Sequence, residues 1–79
     1  MELIINNYGV SLSRDNEGFV ITNADGRQRV PASGITSIQI SRGAQITSDA
    51  VLLAVENEIE VLFNDRTGKP MARIWSPKY

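Results

Sequence analysis

Apolar and polar positions alternate with a period of two along most of this chain, and one segment breaks the rule. Leu3-Ile4-Ile5 forms a short apolar run that stops at Asn6-Asn7-Tyr8-Gly9, a sequence with turn chemistry. Val10 to Arg14 alternates as a half-buried strand does, and Phe19 to Thr22 and Arg27 to Val30 repeat the pattern. Asp15-Asn16-Glu17-Gly18 and Asn23-Ala24-Asp25-Gly26 separate these runs. The Asp-Gly pair in the second favours the positive φ values that tight hairpins need. Pro31 lacks a ladder donor and ends the fourth run. The first thirty residues therefore predict an antiparallel meander.

After Ser33-Gly34 the pattern changes. Ile35 to Ser41 is a strand in which Ile38 and Ile40 share a face with Thr36, and Arg42-Gly43 then turns the chain. Thr47 and Ser48 are both candidate helix caps, and Asp49 complements the helix dipole from the first turn. The run Ala50 to Glu56 is too continuous for alternation and is rich in helix formers, so it predicts a helix of about three turns ending near Asn57. Ile59, Val61 and Phe63 resume the period of two, and Met71 to Trp75 makes a last strand. Strand, helix, strand in that order implies a right-handed crossover with two parallel strands. The expected fold is mainly β with one helix, of the α+β kind. It is a small mixed sheet or sandwich in which an antiparallel meander precedes a strand-helix-strand unit. Residues 1–75 form the domain, and Ser76 to Tyr79 reads as the opening of a linker.

Length and composition narrow the chemistry. A chain of 79 residues holds one small domain, too small for a large internal cleft. Eight Lys and Arg against nine Asp and Glu give a formal net charge of −1, so any contact with DNA has to come from a local patch. Cysteine is absent, which excludes disulfides and thiolate metal sites. Histidine is absent too, and with it the commonest general base and metal ligand. No stretch approaches the roughly 18 apolar residues of a membrane span, and no signal peptide opens the chain. A soluble, cytoplasmic protein is expected.

Glu56, Glu58 and Glu60 straddle a helix end and a strand start, so they need not converge as a hard-cation site requires; a solvated helix end is the simpler reading. Gly68-Lys69 echoes a phosphate loop, but Phe63 stands where the first glycine belongs and Pro70 where the hydroxyl belongs. Without histidine no Ser/His/Asp triad is possible, and no lysine sits in an apolar segment that would lower its pKa. No residue is assigned a catalytic or metal-binding role.

The order of the pieces from Ile35 to Ile74 resembles the amino-terminal β domain of the CRISPR-associated spacer integrase, the larger subunit of the CRISPR adaptation complex. That family shows an apolar strand, a glycine-bearing turn and a capped helix beginning with alanine and rich in leucine. A Gly-Ile-x-Val-x-Phe strand and a turn of the form Asp-Arg-x-Gly-x-Pro follow. Asp65-Arg66-Thr67-Gly68-Lys69-Pro70 fits the last element at every defined position, and Tyr8-Gly9 with the meander to Val30-Pro31 fits the opening. The family's glycine before the isoleucine is Glu58 here, so Asn57 is expected to supply the positive-φ helix terminator.

The resemblance implies a DNA endonuclease and integrase that inserts foreign spacers into the CRISPR array. Its metal, Mg or Mn, is held by Glu, His and Asp of a larger helical carboxy-terminal domain. This chain is then expected to be the non-catalytic amino-terminal part, with no cofactor of its own. In the family the β domain pairs two protomers, contacts a small ferredoxin-like partner subunit and offers part of a surface for double-stranded DNA. Tyr8 matches a position where some members stack a tyrosine on the end of the duplex, and otherwise reads as a half-buried turn tyrosine. Arg42, with the helix amino terminus at Thr47 and Ser48, is a candidate phosphate contact or a solvated turn residue. Arg66 and Lys69 decorate a turn shaped by Gly68 and Pro70 and are minor DNA-contact candidates. Trp75 reads as core or interdomain packing. The rival is a stand-alone small β protein acting as a homodimeric binding or structural module without nuclease activity. An autonomous nuclease needs ligands that the chain lacks.

Overall fold

The computed structural model describes residues 1–76. Eight strands and one helix follow in order: β1 (Glu2–Ile5), β2 (Ser11–Asp15), β3 (Gly18–Asn23), β4 (Gly26–Pro31), β5 (Ser37–Ser41), β6 (Gln45–Ile46), α1 (Ser48–Glu56), β7 (Glu60–Asn64) and β8 (Pro70–Ile74). The fold is mainly β with a single helix, as the alternation predicts.

The strands form two mixed four-stranded sheets, ordered β1-β5-β7-β8 and β4-β3-β2-β6. The predicted meander survives only as β2-β3-β4, joined by two-residue hairpins at Asn16-Glu17 and Ala24-Asp25. β1 does not belong to it: it pairs in parallel with β5 in the other sheet, Leu3 opposite Ile38. The reason is apolar matching. Leu3, Ile38, Val61 and Ile74 form one cross-strand row, and Ile5, Ile40, Phe63 and Ala72 the next. A β1-β2 hairpin offers no such rows. β5 and β7 are parallel on either side of the helix, as the strand-helix-strand reading predicts.

The inner face of the second sheet carries Leu12, Phe19, Ile21 and Val30, and α1 adds Ala50, Leu53 and Ala54, spaced to share one helix face. Together with the two rows of the first sheet, apart from the exposed Ala72, they make one core. The two-residue strand β6, not anticipated from the pattern, pairs in parallel with β2 and delivers the chain to the helix.

Thr47 is the helix cap; its hydroxyl accepts the Ala50 N–H at 3.2 Å. At the other end the expectation for Asn57 fails. Asn57 has φ −101°, and the left-handed residue is Glu58 at φ 59°. The Glu58 N–H donates to Val55 O at 3.1 Å and the Ile59 N–H to Ala54 O at 2.8 Å, the two bonds of a Schellman terminus. Asn57 instead donates its side-chain amide to Leu53 O at 2.8 Å, which holds it in the helical turn. Trp75 is not core either: it is 46% exposed, with the Arg73 guanidinium 4.3 Å from its ring centroid. Ser76 is buried. The rest of the expected linker, residues 77–79, lies outside the described residues.

Candidate functional site

β1, β5 and β7 run in parallel, so their carboxyl ends lie at one end of the sandwich. Two of them lead directly into crossovers to the second sheet: residues 6–10 link β1 to β2, and residues 42–44 link β5 to β6. These crossovers are tied to each other. Gly9 N–H donates to Gly43 O at 3.1 Å, and Gln45 N–H donates to Val10 O at 2.9 Å. The second crossover is also tied to β7 by Arg42 N–H donating to Asn64 O at 3.0 Å. Tyr8, Arg42 and the turn bearing Arg66 and Lys69 are thereby gathered at this end. The half-buried alternative for Tyr8 is excluded, since the residue is 90% exposed.

Thr47 and Ser48 follow β6 at the same end. The Thr47 hydroxyl is engaged in capping, so its part in any contact is to shape the helix terminus; Ser48 is exposed.

The turn after β7 is organised by Asp65. Its Oδ1 accepts the Thr67 hydroxyl at 2.7 Å, the Thr67 N–H at 2.9 Å and the Lys69 N–H at 3.0 Å. Backbone bonds from Asp65 N–H to Lys69 O and from Gly68 N–H to Asp65 O close the loop, with Gly68 at φ 87°. The sequence reading assigned the turn geometry to Gly68 and Pro70 and missed the carboxylate, although Asp followed by Thr two residues later is an Asx-turn signature. Donation by the Thr67 hydroxyl, and next by the Lys69 N–H, holds the Asp65 carboxyl below its ordinary value of 3.8. A depressed carboxyl stabilises the fold above its unfolded pKa, and that contribution is lost as pH falls through the folded one. The Thr67 and Lys69 amide resonances are therefore expected to titrate with a midpoint below the ordinary carboxylate value. In Asp65→Asn this titration is expected to vanish; a midpoint at or above the ordinary carboxylate value in the parent protein would contradict the arrangement.

A hollow of about 350 Å³ separates this turn from the 42–44 crossover, lined by Arg42, Ala44, Phe63, Asn64 and Met71 among others. Asn64 is 8% exposed; its amide N–H donates to Gln39 Oε1 at 2.8 Å, while its Oδ1 is buried without a partner among the described residues.

The cations sort by position. Arg14 pairs with Glu56 at 3.7 Å, Arg29 with Asp15 at 3.8 Å and Arg73 with Glu60 at 3.3 Å, all toward the end opposite Tyr8. Arg27, Arg42, Arg66 and Lys69 have no ion pair among the described residues. All four lie toward the Tyr8 end, where the carboxylates are Asp25, Asp49 and Asp65. The opposite end sets Glu2, Asp15, Glu17, Glu56, Glu58 and Glu60 against three arginines. Arg27 was not singled out from the sequence. The signal available for it was its place just after the Asp25-Gly26 turn, which sends it to the same end as the start of β2.

Among the described residues no group of three or more His, Cys, Asp or Glu converges on a point. A Mg or Mn site does not fit this set, since the Asp65 Oδ1 is occupied by three donors and the carboxylates of the opposite end are dispersed or paired. No helix among these residues is long and apolar enough to cross a membrane.

Comparison with known proteins gives the fold a lineage. A family model described as CRISPR associated protein Cas1 matches residues 3–79. A CRISPR-associated endonuclease Cas1 from Pyrobaculum aerophilum is 32% identical over 79 residues, covering 99% of this chain and 26% of the relative. The chain thus spans about a quarter of that protein's length. Among solved structures, a partial Cas6-RT-Cas1–Cas2 complex superposes with a TM-score of 0.86 at 18% identity, over 96% of this chain and 23% of the other. The TtCas1–DNA complex superposes with a TM-score of 0.82 at 21% identity, over 96% of this chain and 29% of the other. These likenesses establish the shared fold, and with nearly the whole chain matched by the family model, the protein belongs to the CRISPR associated protein Cas1 family.

Proposed function

We propose that this chain serves as the amino-terminal β domain of a cytoplasmic CRISPR endonuclease and integrase that inserts foreign DNA spacers into the CRISPR array. The domain makes no cut itself. It pairs with a second copy, contacts the small ferredoxin-like subunit of the adaptation complex and lends a surface to duplex DNA. Mg or Mn, the metal of the family's strand chemistry, is held by residues other than those described.

One observation carries the DNA part of the reading: the unpaired cations Arg27, Arg42, Arg66 and Lys69 share one end of the sandwich with an exposed tyrosine. A protein with net charge −1 has no general pull on DNA, so a segregated patch is what duplex contact requires. Relatives solved with DNA and with Cas2 support the choice of partners. The pairing part is supported by open edges at β1, β4 and β8 and by the exposed apolar side chains Ile4, Met71 and Trp75 on the first sheet's strands or just beyond them.

The test compares the salt dependence of duplex binding by the full-length product of the gene. Neutralising Arg42, Arg66 and Lys69 together to alanine is expected to reduce the slope of log K against log salt by about 3, one for each phosphate contact. Arg29→Ala at the opposite end is expected to leave it unchanged. An unaltered slope in the triple variant, or an equal loss in the Arg29 control, removes this end of the domain from the DNA surface.

A further inference from the structure

Among the described residues Tyr8 is the most exposed large apolar side chain, yet its position is not free. Its ring lies so close to Gly43 that a Cβ at residue 43 would run into the ring carbons. The contact joins the two crossovers, residues 6–10 and 42–44, and the backbone bonds Gly9 N–H to Gly43 O and Gln45 N–H to Val10 O bracket it. The spacing of the two turns is therefore fixed, and a side chain at residue 43 has to displace the ring itself.

We propose that Gly43 is a positioning residue for Tyr8, its missing side chain being the seat that holds the ring while most of the ring surface stays open. The proposal rests on the reading of Tyr8 as a contact to the end of a DNA duplex. A ring ordered before it meets its partner loses less freedom on stacking, and a flat aromatic surface suits any terminal base pair regardless of sequence. Gly43 also adopts φ +95°, a conformation that glycine alone enters easily. The two reasons for a glycine are separable, because only one of them disappears when the ring is removed.

The experiment is a double-mutant cycle in the full-length product of the gene with Gly43→Ala, Tyr8→Ala and both changes; Tyr8→Phe serves as the ring-retaining control. Two quantities are read: affinity for a blunt linear duplex relative to a covalently closed circle, and fluorescence of 2-aminopurine in the terminal pair, which reports stacking. Tyr8→Ala is expected to weaken end binding about tenfold, and Tyr8→Phe to keep it. Gly43→Ala is expected to weaken it about fivefold with a changed 2-aminopurine signal, but to cost less than about twofold once Tyr8 is alanine. An equal cost of Gly43→Ala in both backgrounds means that the backbone alone demands glycine, and the positioning role is overturned. If Tyr8→Ala weakens end binding while Gly43→Ala does not, the DNA reading of Tyr8 stands and Gly43 has no part in it. If Tyr8→Ala binds ends as well as the parent, the DNA reading falls and the positioning role falls with it.

Discussion

Phe19→Ala is expected to remove a large share of the stability of this domain. Phe19 is fully buried on β3, where it sits on the inner face with Val30 opposite it on β4 and belongs to the core that both sheets and the helix share. Truncating such a ring costs about 3–5 kcal/mol in lost transfer energy and cavity. A domain of 79 residues is expected to be stable by only about 4–12 kcal/mol, so a loss of this size is a large fraction of the total. The measurement is the urea midpoint at constant slope, with Phe63→Ala as comparison. Phe63 only flanks the core and is partly exposed, so its truncation is expected to cost clearly less. Equal costs for the two phenylalanines would place the centre of packing elsewhere.

The second large effect has the opposite sign. Glu58 occupies the left-handed position that ends α1, at a cost of about 1–2 kcal/mol for a residue with a Cβ. Glycine there removes this cost while giving back part of it through greater freedom in the unfolded chain. Glu58→Gly is expected to stabilise by about 1 kcal/mol and to raise Tm by about 4–8 °C. Asn57→Gly is expected to lower Tm, because Asn57 has φ −101° and its amide donates to Leu53 O at 2.8 Å. If the two substitutions exchange signs, the terminator is one residue earlier, where the sequence alone had put it.

That terminator illustrates what was legible. Local signals were legible: the alternation of β2, β3 and β4, the hairpin at Asp25-Gly26, the helix with Thr47 as one of two candidate caps and the parallel return of β7 beside β5. The first three depend on residues close in the chain, and the last follows from the order strand, helix, strand. The helix end was misplaced because asparagine tolerates positive φ better than glutamate in isolation, whereas the Schellman hydrogen bonds and the burial of Ile59 fix which residue must adopt it. β1 was misassigned because Asn6-Asn7-Tyr8-Gly9 reads the same whether the chain folds back in one sheet or crosses to another. β6 has two residues, too few to show a period. For the candidate site, the resemblance supplied Tyr8, and the turn residues supplied Arg42, Arg66 and Lys69. The Tyr8 ring against Gly43 joins positions 35 apart and leaves no local trace. Arg27 and the segregation of unpaired from paired cations likewise depend on which strands run parallel.

The pairing of β1 with β5 also sets the order of assembly. Partners such as Glu2 and Ser37 are 35 residues apart, and β5 must be made before β1 has a neighbour. At synthesis rates of about 5–20 residues per second, the first strand waits roughly two to seven seconds, while the β2-β3-β4 meander already has all its pieces. Non-local parallel pairs are also slow to close. Leu3-Ile4-Ile5, made well before the strand it pairs with, is thus among the last segments of this domain to find its place, and during that interval it needs shielding from other nascent chains.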